Sequence, residues 1–390
     1  MDQMSGSDPV ARARKLGSAI TQAADDIERE QRFPPELLHR LHEARLFRML
    51  LPRSVDGDEL DPGLYVRAVE EVGRHDASVA WCLFNGNSSG LLAAYLAPEI
   101  AHEIFADPRA VVAWGPPGPD RAKTVPGGYR VSGRWGFASG CRHSTWMGAH
   151  CQVEEQDGSL RLNAAGRPTM RSLLFPTCQA TLIDDWDVIG LRGTASVSYT
   201  VSDLFVPDAF STTREDPTLC RESGRLYAFT MQGLYTVGAA GVALGVARAM
   251  LDGFVALAAR KTPRGLAGPL ARNAFVQTRL AQVEARLGAA RAYLLATLED
   301  IWTAPDQSAP IDVPARARVR LAATHAIETA VETADHVYRA AGTDAIFGGS
   351  PFERRFRDIH TVSQQTQGRL ANFEAVGQIM LGDEPATPFL

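Results

Sequence analysis

The chain is poor in cysteine: Cys82, Cys141, Cys151, Cys178 and Cys220 are its only five in 390 residues, and no two form a C-x-x-C pair. An odd, scattered set of that kind supports neither a disulfide framework nor a zinc site, and it suits a reducing cytoplasm. Positive charge is not in excess either. The 40 Lys and Arg stand against 45 Asp and Glu, a formal net of −5, so the electrostatic footprint of a nucleic-acid partner is missing. One small basic cluster, Arg12, Arg14 and Lys15, reads as a solvated helix end. Residues 1–20 hold no cationic start followed by an apolar run, so no secretory signal is expected.

Long hydrophobic runs are almost absent. The exception is Leu226 to Ala247, about 22 uncharged residues, long enough on paper to cross a bilayer. Thr230, Gln232 and Thr236 interrupt it, and Gly238, Gly241 and Gly245 recur at helical spacing. That pattern predicts a helix buried against other helices rather than a membrane span. No internal repeat or low-complexity tract is visible. With 45% hydrophobic and 22% charged residues, the composition is that of a globular chain of two or three domains.

What is present falls into three textures. Residues 1–108 read as helices: Leu16, Ile20, Ala23 and Ile27 keep the helical period, Pro34-Pro35 opens a second helix through Leu46, and further helical runs span Gly63 to Gly73 and Ala77 to Leu96. Residues 109–215 are β-rich, with short apolar runs such as Ala110 to Trp114, Tyr129 to Ser132 and Ser172 to Phe175 between Pro and Gly turns. Residues 216–390 return to helix. Val276, Leu280, Val283, Leu287, Leu294 and Leu298 make one apolar stripe. A helix from Arg316 to Ala341 turns Ala323, Ala326, Ala330 and Ala334 inward and ends on Gly342. Long helices with narrow seams predict an antiparallel bundle.

Chemistry concentrates in the middle texture. Trp186-Asp-Val-Ile-Gly-Leu-Arg-Gly-Thr-Ala-Ser196 leads into the strand-like Val197 to Pro207, and Ser132-Gly-Arg-Trp-Gly-Phe-Ala-Ser-Gly140 precedes it. A flat aromatic cofactor with polar edges needs aromatic walls and a few well-placed hydroxyl or backbone N–H groups. Phe137, Ala138 and Ser139 offer such a set, although Ser139 could equally form the turn before Gly140. Of the four tryptophans in this segment, Trp114, Trp135, Trp146 and Trp186, at least two are expected in the β core.

Helices, then a β domain, then a helical bundle resemble the acyl-CoA dehydrogenase superfamily along nearly the whole chain. Trp186 to Thr194, Asp203-Leu-Phe-Val-Pro207, Phe352-Glu-Arg-Arg-Phe-Arg-Asp358, and Arg260 followed by Gly265, Pro269-Leu270 and Gln277 to Ala281 carry the resemblance. It implies an α+β multidomain fold with an N-terminal helical domain, a central β-barrel-like domain and a C-terminal antiparallel four-helix bundle. It also implies a flavin, FMN or FAD, held by Trp114, Phe137, Ala138, Ser139, Thr194 and Gly349, and by Arg260 reaching a neighbouring subunit's cofactor in a homotetramer. Read alone, Arg260 could be a solvated helix residue and Gly348-Gly349 a helix cap.

A dehydrogenase of that superfamily needs a carboxylate base to take an α-proton. After Arg357-Asp358 the expected glutamate position falls near Thr366, inside Ser363-Gln-Gln-Thr-Gln-Gly368, so no base stands there. Phe137 to Trp146 is instead similar to two-component flavin monooxygenases, which take reduced flavin from a separate reductase and use molecular oxygen. Such an enzyme must keep a flavin C4a-hydroperoxide dry, by apolar walls and hydrogen bonds. Several members carry two histidines where this chain has Asn87 to Ser89 and Gln365. The reading is therefore a monooxygenase of a small aromatic, polyketide-like or amine-bearing substrate, with Ser139, Asn87 and Gln365 as polar pocket groups and His143 as a second candidate; His360 is more simply structural. Two rivals remain open: an acyl-CoA dehydrogenase or oxidase with an unorthodox base, and a non-catalytic flavin-binding member of the fold. No metal ligand set, nucleic acid or membrane contact is expected.

Overall fold

A computed structural model describes residues 8–164, 166–213, 216–304 and 310–383. Five helices come first: α1 (Pro9–Glu30), α2 (Pro35–Glu43), α3 (Pro62–Gly73), α4 (Ala77–Gly90) and α5 (Pro98–Phe105). Side-chain caps set their starts, because the first N–H groups of a helix have no internal acceptor. The Asp61 carboxylate accepts from Leu64 N at 2.9 Å, and Asp76 accepts from Val79 N at 2.8 Å. Proline opens α1, α2, α3 and α5, where its missing N–H costs nothing.

Two of these helices end earlier than the periodicity predicts. The second stops at Glu43 rather than Leu46, because Arg45 is left-handed at φ 56°. Its guanidinium is held there by Asp58 at 2.9 Å and Asp56 at 3.0 Å. Helix α4 ends at Gly90, and Leu91–Tyr95 tightens into a 3-10 turn.

The middle of the chain is one eight-stranded sheet: β1 (Val112–Trp114), β2 (Arg121–Val125), β3 (Gly128–Trp135), β4 (Trp146–Glu154), β5 (Met170–Pro176), β6 (Thr181–Ile183), β7 (Ser198–Pro207) and β8 (Ser211–Thr212). Its order is β6-β7-β3-β2-β4-β5-β8, with β1 parallel to β4. Strand β7 runs antiparallel to β3 with Trp135 opposite Tyr199, and a register shift lies between Val131 and Gly133. The sheet keeps its own core, including Tyr129, Val131, Trp135, Met147 and Tyr199.

Helices α6 (Met231–Arg260), α7 (Ala274–Trp302), α8 (Val313–Ala341), α9 (Pro351–Ser363) and α10 (Ala371–Met380) complete the chain. They do not form a separate core. Residues from α1 to α5 and from α6 to α9 fall in one continuous cluster, so the first and last helical segments fold as a single body with α6 inside it. Gly245 lets α6 meet α3: a Cβ there would stand 2.3 Å from the Glu70 carbonyl oxygen. Ala323, Ala326, Ala330 and Ala334 on α8 are fully buried, as the narrow alanine seam predicts. Helix α6 is long and apolar enough to cross a membrane, yet from Tyr235 to Ala247 every residue is buried against protein.

Candidate functional site

The turn that follows Trp186 is wedged between the helical body and the sheet. Gly190 and Gly193 allow that approach. A Cβ on Gly190 would lie 2.2 Å from the Arg357 carbonyl oxygen, and one on Gly193 would lie 2.3 Å from Ile27. The turn carries two non-glycine residues in the left-handed region, Leu191 at φ 53° and Ala195 at φ 41°, and the facing loop carries a third, Phe137 at φ 60°. Such backbone is unfavourable for residues with a Cβ, and where it clusters it marks a built site.

Hydrogen bonds lace the two loops together. Ala138 N donates to the Val197 carbonyl at 3.2 Å and Gly140 N to the Thr194 carbonyl at 3.0 Å. Trp186 Nε1 donates to the Leu191 carbonyl at 3.1 Å, and Leu191 N donates to the Asp358 carboxylate at 2.7 Å. Between them runs a line of hydroxyls. Trp81 Nε1 lies 3.0 Å from Ser139 Oγ, Ser139 Oγ 2.7 Å from Ser196 Oγ, Ser196 Oγ 2.7 Å from Thr194 Oγ1, and Thr194 Oγ1 donates to the Leu191 carbonyl at 2.7 Å. Ser139 is half-buried at the open end of this line. Beside it Phe137 is 67% exposed, its ring edge-on to Trp186 at 5.9 Å between centroids.

These features fit one face and edge of an isoalloxazine: an exposed aromatic ring, a second indole behind it and a hydroxyl with spare acceptor capacity. Trp114, at the end of β1, donates from Nε1 to the Tyr235 hydroxyl on α6 at 2.9 Å and keeps a half-exposed ring. Thr194 joins the set through the hydroxyl line. Gly349, left-handed at φ 85°, lines a charged cleft with Arg192, Asp25, Glu28, Arg29 and Arg354. Arg260 lies exposed at the C-terminal end of α6 near Asp344, and among the described residues no hydrogen bond joins it or Gly349 to the Ser139 group.

Three expected pocket groups have other work. Asn87 is fully buried, and its amide is saturated by backbone: it accepts from Leu50 N at 3.2 Å and donates to the Leu46 and Leu83 carbonyls at 2.7 Å and 2.8 Å. It is a brace rather than a pocket group. His143 Nε2 accepts from Phe33 N at 3.1 Å, and the ring stacks on Phe33 at 4.3 Å. Burial, followed by the nearby Arg32, pushes its pKa down to about 4, so it is a neutral structural acceptor. Gln365 Oε1 accepts from Gln367 N at 2.7 Å and caps the turn Thr366–Gly368. The buried amide of that turn is Gln367, which accepts from Thr236 Oγ1 at 2.6 Å and from the Arg320 guanidinium. Burial lowers the Arg320 pKa to about 10.

His360 anchors α9 to α8, with Nε2 2.9 Å from Asp335 Oδ1, as a structural histidine would. No carboxylate hydrogen-bonds Ser139, Ser196 or Thr194 among the described residues. The one bound to the turn, Asp358, approaches from α9 and holds a backbone amide. Burial, then the neighbouring Asp76, raises its pKa to about 7, and burial raises Asp76 to about 6. Glu28 of α1 clamps the same helix, meeting Arg354 and Arg357 each at 2.7 Å.

Sequence reasoning missed Trp81, Ser196 and Asp358 as members of this site. Ser196 sits inside the motif that drew attention, whereas Trp81 is 58 residues from Ser139, beyond the reach of any local pattern.

Comparison with known proteins bears on the fold and the family. The acyl-CoA dehydrogenase N-terminal domain matches residues 11–101, and the acyl-CoA dehydrogenase C-terminal domain matches residues 237–367. The indole-3-acetate monooxygenase of Pseudomonas putida is 27% identical over 368 residues, covering 94% of this chain and 91% of its own. The oxygenase component of the FADH(2)-dependent resorcinol hydroxylase of a Rhizobium species is 28% identical, covering 96% and 94%. Among solved structures, XiaF from a Streptomyces species, in complex with FADH2 and glycerol, superimposes with a TM-score of 0.89 at 22% identity, over 98% of this chain and 97% of its own, a likeness of fold. With both terminal domain models matched and the turn at Leu191 built between the helical body and the sheet, the chain belongs to the acyl-CoA dehydrogenase superfamily, beside its flavin-dependent monooxygenases.

Proposed function

We propose that this protein is the oxygenase component of a two-component flavin monooxygenase, taking reduced FMN or FAD from a separate reductase and hydroxylating a small aromatic substrate with molecular oxygen. The observation that carries the reading is the hydroxyl line ending on Ser139, with no carboxylate bonded to it among the described residues. Abstraction of an α-proton needs a base of suitable pKa at the reacting carbon; oxygen transfer needs a dry, hydrogen-bonding pocket. The relatives named above act on indole-3-acetate and resorcinol, which supports an aromatic substrate class.

When bound, reduced flavin supplies the electrons that activate oxygen. The chain's own residues do the rest of the positioning. Phe137 and Trp186 wall the ring from solvent, Trp114 closes the side toward α6, and Ser139 holds the polar edge. The sheet core behind Trp135 and Tyr199, stacked at 5.4 Å, keeps bulk water from the back of the site.

Assembly belongs to the same proposal. Phe275, Met380 and Leu381 are 72%, 75% and 84% exposed on α7 and at the end of α10, more apolar surface than isolated helix ends need. A homotetramer would cover it and bring Arg260 to a neighbour's flavin. Free thiols at all five cysteines suit a cytoplasmic enzyme.

The test is rapid mixing of the protein, loaded with chemically reduced flavin, with oxygenated buffer and a panel of phenols and indoles. A transient absorbance distinct from reduced and oxidised flavin, with hydroxylated product, is expected. Direct return of oxidised flavin with stoichiometric peroxide, for every substrate, counts against the reading.

A further inference from the structure

Helix α4 is buried from Ala77 to Gly90 at every position but one. Asn85 alone is half-buried, in the middle of the helix and with buried neighbours on both sides, so an opening reaches the fold at that point. Its direction follows from the helical period of about 100° per residue. Cys82 and Ser89 flank Asn85 on one side and both meet the sheet domain: Cys82 Sγ lies 3.9 Å from the Thr194 carbonyl oxygen, and Ser89 Oγ donates to the Val112 carbonyl of β1 at 2.6 Å. Trp81 and Phe84 flank it on the other side, and Phe84 stands edge-on to Tyr235 of α6 at 6.0 Å between centroids. Asn85 therefore points into the seam between β1 and α6. The hydrogen bond from Trp114 Nε1 to the Tyr235 hydroxyl spans that seam, and Trp81, one turn before Asn85, joins it to Ser139. Trp114 and Ser139 are half-buried as well.

The helix itself orients the Asn85 amide. Its Nδ2 donates to the Trp81 carbonyl at 2.9 Å; with the amide reversed, oxygen would face oxygen. Its Oδ1 accepts nothing among the described residues and is not one of the polar atoms closed off from solvent, so its lone pairs are left for whatever enters the seam. The other polar side chains near it on the helix are spent or shut in. Asn87 is saturated by backbone, Ser89 is bound to Val112, and Ser88 Oγ is closed off.

We infer that Asn85 selects and orients the substrate, its Oδ1 taking a hydrogen bond from a neutral O–H or N–H carried on the aromatic ring. The inference rests on the oxygenase reading above and adds to it the chemistry of the ring's polar group. Trp81, Trp114 and Tyr235 supply aromatic surface around the amide, which fits a flat ring. A neutral acceptor answers a neutral donor. A phenolate or carboxylate oxygen in the same place would set lone pair against lone pair, and a bare hydrocarbon would leave the amide oxygen desolvated without a partner. A site built around such a bond rejects analogues that lack the donor.

Anaerobic equilibrium dialysis of the full-length protein, loaded with reduced FMN or FAD, tests this. The ligands form two matched pairs, indole with benzofuran and phenol with fluorobenzene; in each pair the donor is exchanged for an atom of similar size that neither donates nor accepts well. In Asn85→Leu, close to the wild-type residue in size, the donor-bearing ligand should weaken while its twin holds or tightens. The ratio of the two dissociation constants should fall about five- to thirtyfold in at least one pair, the worth of a hydrogen bond to an otherwise unsatisfied acceptor. A fall in the indole pair alone assigns an N–H donor, and a fall in the phenol pair alone an O–H donor. Asn85→Ala, which only removes the amide, should give the same fall and covers the case in which the leucine does not pack; denaturant midpoints check the folding of each variant.

A ratio unchanged in both pairs, or equal weakening of both members of each pair as a loosened fold would give, overturns the inference and leaves the flavin reading intact. Binding of none of these ligands by protein that does hold reduced flavin overturns it likewise. A wild-type chain that holds no reduced flavin removes the functional reading and the inference with it.

Discussion

The Asp358 carboxylate accepts the Leu191 amide at 2.7 Å, so a helix near the end of the chain sets the backbone on which Thr194 and Ser196 are mounted. The carboxylate is buried, and burial with the Asp76 charge lifts its pKa to about 7. An unfolded aspartate titrates near 3.9, at roughly its reference value. Between about pH 4 and pH 7 the native chain therefore binds more protons than the unfolded one, and stability falls as pH rises through that window. Asp358→Asn keeps an acceptor for Leu191 and removes the titration. Its unfolding free energy, from denaturant melts, should gain on the wild type between about pH 4 and pH 7 and level off above, by an amount on the order of a few kcal/mol at most. A difference that stays constant with pH would show that this carboxyl does not titrate there.

His143 should give the opposite slope. Its folded pKa is depressed to about 4 because its ring is buried and its Nε2 serves Phe33 N, against about 6.5 for an unfolded histidine. Its contribution is fully present above about pH 6.5 and is lost as pH falls toward 4. In His143→Gln the stability deficit relative to wild type should be largest near pH 7 and shrink on acidification. A deficit that grows on acidification would mean that the charged ring, not the neutral one, is the native form.

Where a pattern is local, the sequence announced it. The helical period of Val283, Leu287, Leu294 and Leu298 and the alanine seam of α8 describe faces that are buried, and Trp186 to Ser196 is the turn at the heart of the site. What stayed illegible is what depends on partners distant in sequence. Asn87 and Gln365 are polar residues in the right neighbourhood, yet one is taken up by the Leu46 and Leu50 backbone, 41 and 37 residues away, and the other by its own turn. Nothing in their spacing separates a pocket amide from a brace. Trp81 reads as one more apolar position of a buried helix until the fold lays its N–H against Ser139.

The brace reading of Asn87 predicts a stability phenotype. Asn87→Ala strands the Leu50 N–H and the Leu46 carbonyl in a fully buried place, a loss of roughly 2–4 kcal/mol. Chemical denaturation should show the shift in midpoint, and the fraction that remains folded should bind reduced flavin within about twofold of wild type, less than a lost hydrogen bond would cost. A selective fall in substrate turnover at unchanged stability would return Asn87 to the pocket.

Phe137 separates the two effects in the other direction. At 67% exposure its ring adds little to the core, so Phe137→Ala should leave unfolding free energy within about 0.5 kcal/mol. If the ring is a wall for the flavin, the same variant weakens binding about five- to thirtyfold, the value of one aromatic contact of roughly 1–2 kcal/mol. The backbone supplies an internal control. At φ 60° any residue with a Cβ is strained, so Phe137→Gly should be more stable than Phe137→Ala by about 1 kcal/mol while binding flavin equally poorly. Calorimetry and flavin titration on the two variants would then show stability and affinity moving independently at one position, as expected where strain is kept to present a side chain. Equal stability of the Ala and Gly variants would mean that the loop relaxes out of the left-handed region once the ring is gone, and that the ring itself holds Phe137 in place.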